Sequence, residues 1–160
     1  MRRKQITPVE LDHNFTQKLR IAIIRTDYYH QLNDNLEQYC RRTLCEYGVK
    51  EKNIATFIVP GSWEIPLVSQ RVAKSKKFDA IVAFGVIVKG ETYHFDMIAN
   101  ECARALMQVS LENSIPLAIE VLAVHDVAQA KARASKNTHN KGIEGALAVL
   151  KTLQTLWSIQ

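Results

Sequence analysis

The sequence FGVIVKGETYHFDMIAN, residues Phe84 to Asn100, joins a predicted buried strand to a predicted helix. The strand is the apolar, β-branched run Ala80 to Val88, and a helical pattern follows from about Phe95. A glycine turn, a hydroxyl and a histidine lie between the two elements. Because ligands of open α/β sheets bind where strands end and helices begin, this stretch is predicted to form the catalytic centre.

Apolar runs and helical patterns alternate along the rest of the chain. The predicted strands are Leu19 to Arg25, Ile54 to Val59, Ala80 to Val88 and Leu117 to Val124. The predicted helices are Leu32 to Tyr47, a segment that ends near Ser75, Phe95 to Asn113, Val127 to Ala134 and Lys141 to about Leu156. Continuous apolar strands are typical of a parallel sheet that is covered on both faces. With right-handed crossovers, the predicted fold class is α/β: a flavodoxin-like, three-layer α/β/α sandwich around a doubly wound, four-stranded parallel sheet, with helices on both faces.

The composition is that of one ordinary globular domain. A chain of 160 residues can bury a sizeable core, and its 47% hydrophobic and 23% charged content is normal. The formal charge of +5 forms no basic stripe with interleaved aromatics, so no nucleic-acid partner is predicted, whereas a phosphorylated small substrate fits the charge. Three cysteines without zinc-site or disulfide spacing predict no metal site. The absence of a secretory signal and of a membrane-spanning run predicts a soluble, cytoplasmic protein without a membrane partner.

Residues 1–18 are polar and mixed, with few apolar positions. They are predicted to form an N-terminal arm ahead of a single domain that spans residues 19–160. Two interpretations of the arm stay open: a disordered tail, or a segment that pairs with the sheet edge of a neighbouring subunit.

Several polar segments are predicted to meet at one edge of the sheet, because the carboxyl ends of parallel strands share an edge. They are the pair Tyr28-Tyr29, the turn PGSWEIP (Pro60 to Pro66) and the turn KGETYH (Lys89 to His94). The resulting cleft would contain aromatic rings, a carboxylate, a hydroxyl and an imidazole. A histidine with an unperturbed pKa near 6.5 suits proton transfer at neutral pH.

Each of these side chains also has a purely structural interpretation. Taken alone, His94 is more often a helix cap or a solvent-facing residue than a catalyst, and Thr92 is as often a plain helix cap as a phosphate ligand. Trp63 beside Glu64 suits a planar heterocycle with hydrogen-bond donors. An equally good interpretation buries the tryptophan in the core and places the glutamate at a helix cap.

Two cations, Arg133 and Lys141, flank the polar linker Ser135 to Asn140. Such side chains can neutralise an anion, although charges beside a linker are more often simply solvated.

The KGETYH turn lacks the GxxxxGK[ST] and GxGxxG patterns, so a nucleotide-triphosphate or dinucleotide loop is not predicted. Cys102 is predicted to be a core residue of the long helix that precedes the fourth strand.

Three segments taken together resemble the 6,7-dimethyl-8-ribityllumazine synthase family: VPGSWEIP (Val59 to Pro66), FGVIVKGETYHFDMIANE (Phe84 to Glu101) and NKGIEGAL (Asn140 to Leu147). The resemblance covers about residues 19–156, and the GET-x-HFD element is highly specific. It implies an enzyme that condenses 5-amino-6-(D-ribitylamino)uracil with 3,4-dihydroxy-2-butanone 4-phosphate and releases phosphate and water, without a cofactor. The active site would lie between adjacent subunits of a homopentamer or of a multiple of pentamers.

The resemblance also implies a role for each matching residue. His94 would be the general acid and base of the reaction. The phosphate would be bound by Glu91, Thr92 and Arg133. The residues that bind the pyrimidine and its ribityl chain would be Tyr28, Ser62, Trp63, Glu64, Val86, Ile87, Val88, Ile119 and Lys141. The neighbouring subunit would supply Ile119, Arg133 and Lys141.

Two positions depart from the family pattern. Ile119 stands where an aromatic residue is common, and Tyr29 stands where a small polar residue is usual. The linker SKNTHN lacks the glycine-containing sequence typical of members that form sixty-subunit shells. A pentamer or a pair of pentamers is therefore as compatible with the sequence as a capsid.

The same two departures motivate a second hypothesis, an oligomeric shell that binds flavin or lumazine with little turnover. A third hypothesis, a phospho-signalling receiver domain, is excluded by the strand ends. Such a domain needs a carboxylate cluster after its first and third strands, and here those positions are Arg25-Thr26-Asp27 and Val88-Lys89.

Overall fold

The computed structural model describes residues 10–159. Residues 1–9 of the predicted N-terminal arm lie outside the described residues, so both interpretations stay open for that part of the arm. The described helices are α1 (His13–Thr16), α2 (His30–Glu46), α3 (Ile65–Lys74), α4 (His94–Asn113), α5 (Val127–Arg133) and α6 (Lys141–Ile159). The described strands are β1 (Ile21–Thr26), β2 (Ile54–Val59), β3 (Ala80–Val88) and β4 (Leu117–Val124), and a short 3-10 helix covers Glu51–Asn53.

All four of these strands are parallel, and their order in the sheet is β2-β1-β3-β4. The chain runs outward from β1 to β2 and then crosses back, so that β3 pairs with the opposite side of β1. The direction of the crossovers therefore reverses between β1 and β3, and ligands bind at this kind of switch point. The predicted doubly wound parallel sheet is confirmed.

Helices cover both faces of the sheet and enclose two layers of core. One layer packs Ile23 and Val82 with apolar side chains of α2 and α6. The other packs Ile24 and Ala83 with apolar side chains of α3 and α4. Successive side chains of a strand point to opposite faces, so a central strand between two helical layers has to be apolar at every position. This requirement explains the continuous apolar runs in the sequence.

Local signals set where the helices begin and end. Pro66 lies in the first turn of α3, where its missing N–H leaves no intrahelical hydrogen bond unmade. The carboxylate of Asp126 caps α5 by accepting the backbone N–H of Gln129 at 2.8 Å. Gly48 follows α2 with a φ of 97°, a conformation that glycine adopts without steric cost.

The helix α1 was not predicted, because four residues are too few to show a helical period. The carboxylate of Asp12 accepts the N–H of Asn14 at 2.8 Å and caps it. The ring of Phe15 stacks on Trp157 of α6, with centroids 4.3 Å apart. This contact joins the beginning of the described chain to its last helix.

The cysteines and the helices carry no sign of a metal centre or a membrane segment in residues 10–159. Cys40 and Cys102 are buried and Cys45 is exposed, and all three thiols are free. Cys102 of α4 lies in the core layer of α3 and α4, as predicted. No group of three or more His, Cys, Asp or Glu side chains in this range is placed to hold a metal ion, and none of the described helices is long and apolar enough to cross a membrane.

The helices α2 and α6 approach so closely that a glycine is required between them. A Cβ atom at Gly142 would lie 2.0 Å from the backbone carbonyl oxygen of Leu36. The N–H of Gly142 also donates to the side-chain oxygen of Asn140 at 2.7 Å, which fixes the first turn of α6. The obstacle is backbone rather than a flexible side chain, so the helices have to separate to admit any side chain.

Replacement of Gly142 by alanine is therefore expected to lower the free energy of unfolding by about 3 kcal/mol, because overpacking forces the backbone to shift. Equilibrium unfolding in urea at one fixed protein concentration measures this change. Gly90→Ala is the matched control, since a Cβ atom there would meet nothing within 4 Å. Equal stability of the two variants would contradict the close approach.

Candidate active site

The loop after β1 and the turn after β2 lie side by side at the carboxyl edge of the sheet. The backbone N–H of Tyr28 donates to the carbonyl oxygen of Pro60 at 3.4 Å. The same turn lies against β3, because a Cβ atom at Gly85 would be 2.7 Å from the hydroxyl oxygen of Ser62. The structure thus brings two of the predicted segments together, next to the strand from which the third begins.

The tyrosine pair presents one largely exposed ring at this edge. The side chain of Tyr28 is 67% exposed, and its ring meets Tyr29 edge-on with centroids 4.8 Å apart. Tyr29 itself has a φ of 55°, a left-handed conformation that is uncommon for residues other than glycine. The free face of Tyr28 is available to stack on a planar ligand.

The PGSWEIP turn is held by its own carboxylate. The side chain of Glu64 accepts the backbone N–H of Gly61 at 3.0 Å, and α3 has no side-chain cap. Trp63 is 51% exposed, whereas the hydroxyl-bearing Ser62 is buried. The alternative with a core tryptophan and a capping glutamate therefore does not describe this turn. Instead, an indole and a carboxylate stand at the sheet edge beside the tyrosine loop.

At the end of β3, the backbone rather than the side chains is accessible to a ligand. Val86 and Ile87 are buried, and Val88 is partly buried. The side chain of Val86 belongs to the core layer of α2 and α6. A ligand at this edge would therefore meet the main-chain groups of these three residues.

The third segment leads into the N-terminus of α4, and its polar side chains are free. Glu91, Thr92 and His94 are exposed, and none of the three makes a side-chain hydrogen bond or ion pair within the described part of the chain. The helix begins at His94 behind Tyr93, and no side chain caps its first turn. Thr92 is therefore not a helix cap. The unpaired N–H groups of a 20-residue helix give its N-terminus a partial positive charge that favours an anion.

Three of the predicted site residues are not joined to this edge. The guanidinium of Arg133 donates to the carbonyl oxygen of Gln129 at 2.9 Å, at the end of α5. Lys141 pairs with Glu144 in the first turn of α6. Ile119 lies in the middle of the edge strand β4 and is packed on the core layer of α3 and α4. No hydrogen bond or ion pair between residues 10 and 159 connects any of them to the three loops.

Asn33 is a polar residue of this region that the sequence analysis did not single out. It is fully buried in the first turn of α2, and its side-chain nitrogen donates to Thr26 and to the carbonyl oxygen of Tyr28. The available signal was its position on the apolar face of α2, three residues before Leu36 and seven before Cys40. An amide in a core register usually has hydrogen bonds to make.

Glu120 is a second group that was missed, and it faces α6 from the edge strand β4. Its Cγ atom would lie 3.0 Å from a Cβ atom at Gly145. Burial raises the pKa of Glu120 to about 8, an effect that the charge of Lys141 opposes and that of Glu144 reinforces. A glutamate within the apolar run Leu117 to Val124 was the sequence signal.

Comparison with known proteins gives a consistent result over nearly the whole chain. The family model described as 6,7-dimethyl-8-ribityllumazine synthase matches residues 18–156. A protein of that name from Ruthia magnifica subsp. Calyptogena magnifica is 36% identical over an alignment of 153 residues that covers 92% of this chain and 92% of the relative. Proteins of the same name from Deinococcus radiodurans and Blochmanniella pennsylvanica are 36% identical over 142 residues and 38% identical over 140 residues. They cover 89% and 87% of this chain, and 92% and 87% of their own lengths.

The partly buried carboxyl of Glu120 predicts a pH-dependent stability. Its pKa of about 8 in the folded chain lies above its ordinary value of 4.5, so the folded state binds more protons than the unfolded state between these values. The free energy of unfolding therefore falls as the pH rises through this window, by at most about 1.4 kcal/mol per pH unit from this group. Urea unfolding of the wild type and of Glu120→Gln at several pH values between about 5 and 8 measures the difference.

The amide of the variant does not titrate, so Glu120→Gln should be the less pH-dependent protein. The exposed carboxylate of Glu112 on α4 provides the control, and Glu112→Gln should keep the wild-type pH dependence. Parallel pH profiles for the wild type and Glu120→Gln would show that Glu120 is ionised in the folded protein at neutral pH.

Proposed function

The chain belongs to the 6,7-dimethyl-8-ribityllumazine synthase family, and we propose that it condenses 5-amino-6-(D-ribitylamino)uracil with 3,4-dihydroxy-2-butanone 4-phosphate. The product is 6,7-dimethyl-8-ribityllumazine, in the penultimate step of riboflavin biosynthesis, with release of phosphate and water. The enzyme is thus a transferase. One observation carries the proposal: the exposed ring of Tyr28, the exposed imidazole of His94 and the uncapped N-terminus of α4 all lie at the carboxyl edge of the sheet.

The first two loops supply a place for the pyrimidine and its ribityl chain. The exposed face of Tyr28 stacks on the planar ring, and the backbone at Val86 to Val88 meets the polar edge of that ring. The hydroxyls of the ribityl chain are met by the PGSWEIP turn, where Ser62, Trp63 and Glu64 stand in sequence. A carboxylate beside an indole suits a chain of hydroxyl donors.

The third loop supplies the proton transfers and part of the phosphate site. His94 takes and returns the protons that move during imine formation, phosphate elimination and ring closure. Its imidazole is exposed and makes no side-chain hydrogen bond or ion pair within residues 10–159, so it can reach a bound substrate. Beside it, the uncapped start of α4 and the hydroxyl of Thr92 bind the phosphate, with Glu91 at the rim.

The second half of the site is supplied by a neighbouring subunit. A dianionic phosphate needs a cation, yet within the described residues Arg133 and Lys141 have no link to this edge. In a homopentamer or a multiple of pentamers, the neighbour's copies of these two cations and of Ile119 complete the site. Apolar side chains exposed on α3 and α4 support such an assembly, because apolar patches of this kind mark interfaces; they are Leu67, Met97, Met107 and Leu111.

The alternative of a flavin- or lumazine-binding shell with little turnover is not favoured. It was motivated by Tyr29 and Ile119, and neither residue removes a group that the reaction needs. The catalytic histidine, the GETYHFD element and the PGSWEIP turn are all present. Three free thiols agree with a cytoplasmic location, which is part of the proposal.

Removal of the His94 imidazole is expected to slow formation of the lumazine, which is followed by its absorption after both substrates are mixed. Loss of a general acid and base typically costs on the order of 10²–10⁴-fold, and less where substrate amines and water carry protons. The control is His13→Ala, because His13 is an exposed histidine of α1, at the amino end of β1 and away from the proposed site. This variant should leave the rate unchanged. Folded wild-type protein that makes no lumazine would refute the proposed function.

Replacement of Arg133 by alanine is expected to raise the apparent KM for the phosphorylated substrate, while kcat changes less, because a binding cation is lost. The control is Lys131→Ala, an exposed cation on the same helix. Unchanged saturation by the phosphorylated substrate would exclude Arg133 from the site.

Mixed oligomers test whether Arg133 acts across a subunit interface. If the site is shared, co-expression of His94→Ala with Arg133→Ala subunits produces mixed oligomers in which about one site in four carries both native residues. Activity is then restored at those sites. Activity no higher than the average of the two variants would place both residues in one subunit.

Light scattering of the wild type gives the size of the assembly.

A further inference from the structure

The amide of Asn33 makes a set of hydrogen bonds that only its nitrogen can make. This nitrogen lies 2.9 Å from the Thr26 hydroxyl oxygen, 2.9 Å from the carbonyl oxygen of Tyr28 and 3.4 Å from that of Tyr29. Carbonyl oxygens only accept hydrogen bonds, so the side-chain oxygen of Asn33 cannot take the place of the nitrogen. The amide orientation is therefore fixed by chemistry.

The loop that Asn33 holds has an unusual backbone. Tyr29 has a φ of 55° immediately before α2, a conformation that a bulky residue keeps only where its surroundings enforce it. The hydroxyl of Thr26 also donates to the carbonyl oxygen of Tyr28 at 3.1 Å. Two donors, one from β1 and one from α2, thus converge on the carbonyl group of Tyr28.

The ring of Tyr28 depends on this backbone for its position. The residue is 67% exposed, and its ring meets Tyr29 edge-on and contacts no other aromatic ring within residues 10–159. A side chain with so little packing is directed by the backbone that carries it. Stacking on a planar ligand needs a defined ring orientation, so a fixed loop conformation favours binding.

We propose that Asn33 is a positioning residue for the pyrimidine substrate, acting through the Tyr28 loop. The inference rests on the proposed function, in which Tyr28 stacks on the pyrimidine. Asn33 is fully buried and does not touch the substrate itself. It keeps the loop in the binding-competent conformation, and a loop that leaves this conformation weakens binding in proportion to the lost population.

Asn33→Asp tests this role with a side chain of nearly the same shape. The aspartate has no hydrogen to donate when it is ionised and only one when it is protonated, so it cannot replace both N–H groups of the amide that holds the loop. The KM for 5-amino-6-(D-ribitylamino)uracil is expected to rise about tenfold, as for a loop that is competent about a tenth of the time. The KM for the phosphorylated substrate should stay unchanged, and calorimetric titration with 6,7-dimethyl-8-ribityllumazine should show the same loss as the pyrimidine KM.

Asn113→Asp is the matched control for a merely structural effect. The side-chain nitrogen of Asn113 donates to Gln70 at 2.9 Å and to the carbonyl oxygen of Val109 at 2.8 Å, at the far end of α4. This variant also loses two donor bonds, but both KM values should remain those of the wild type. If Asn33→Asp does not fold, Thr26→Val removes the other donor to Tyr28 and should raise the pyrimidine KM by a smaller factor.

The outcomes separate this inference from the proposed function. A selective rise in the pyrimidine KM, absent in Asn113→Asp, supports the positioning role. Unchanged KM values in Asn33→Asp, or in Thr26→Val if that variant is needed, overturn it and leave the proposed function intact. Equal changes in both KM values overturn it as well, because they indicate a general structural effect. A wild-type protein that neither makes nor binds the lumazine refutes both.

Discussion

The parallel pairing of β1 with β3 is the constraint on which the rest of the structure depends. It joins Ile21 to Ala80 and Ile24 to Ala83 in register, and the residues of β1 from Ile21 to Ile24 have no exposed surface. Since β2 occupies the other side of β1, the crossovers on either side of this pair run in opposite directions. The loops after β1 and β3 therefore diverge and leave a crevice between them. The fold generates the site at the place where its own connectivity reverses.

A network of charges fixes α2 on the strands β1 and β2. Arg25 of β1 donates to Glu37 of α2 at 2.7 Å, and Arg41 and Thr56 also donate to that carboxylate. Burial pushes the pKa of Glu37 upward, but these hydrogen bonds outweigh it and hold the pKa below its ordinary value. Partly buried charges of this kind persist only when their hydrogen bonds are made. The helix that results carries, in its first turn, the amide that holds the tyrosine loop.

The proposed phosphate site lies at the N-terminus of α4. The N-terminus of α4 presents uncapped N–H groups and the free imidazole of His94 at the sheet edge. The phosphate of the proposed substrate would accept hydrogen bonds from those donors. The cations proposed to balance the phosphate charge, Arg133 and Lys141, belong to α5 and α6 and are engaged there with Gln129 and Glu144. In the proposed assembly of identical chains, a neighbour's copies of these cations would complete the phosphate site.

Much of this arrangement was predictable from the sequence, since the hydrophobic period of an element is decided by residues a few positions apart. The bounds of β2, β3 and β4 agree with the apolar runs, and His94 does stand where β3 gives way to α4. The short α1 was missed, because a single turn has no measurable period. The sequence also left open whether Trp63 was a core residue, and the structure exposes half of it.

The sequence by itself determined the alternation of strands and helices, and with it the edge at which the polar loops meet. Only the tertiary structure decided that Asn33 holds the tyrosine loop, that Glu120 is buried enough to raise its pKa to about 8, and that Gly142 admits no side chain. Each of these properties depends on groups that are distant in the chain and adjacent in space. A local pattern records which face of an element is apolar, but the partner of a buried amide or carboxyl is set by packing between elements.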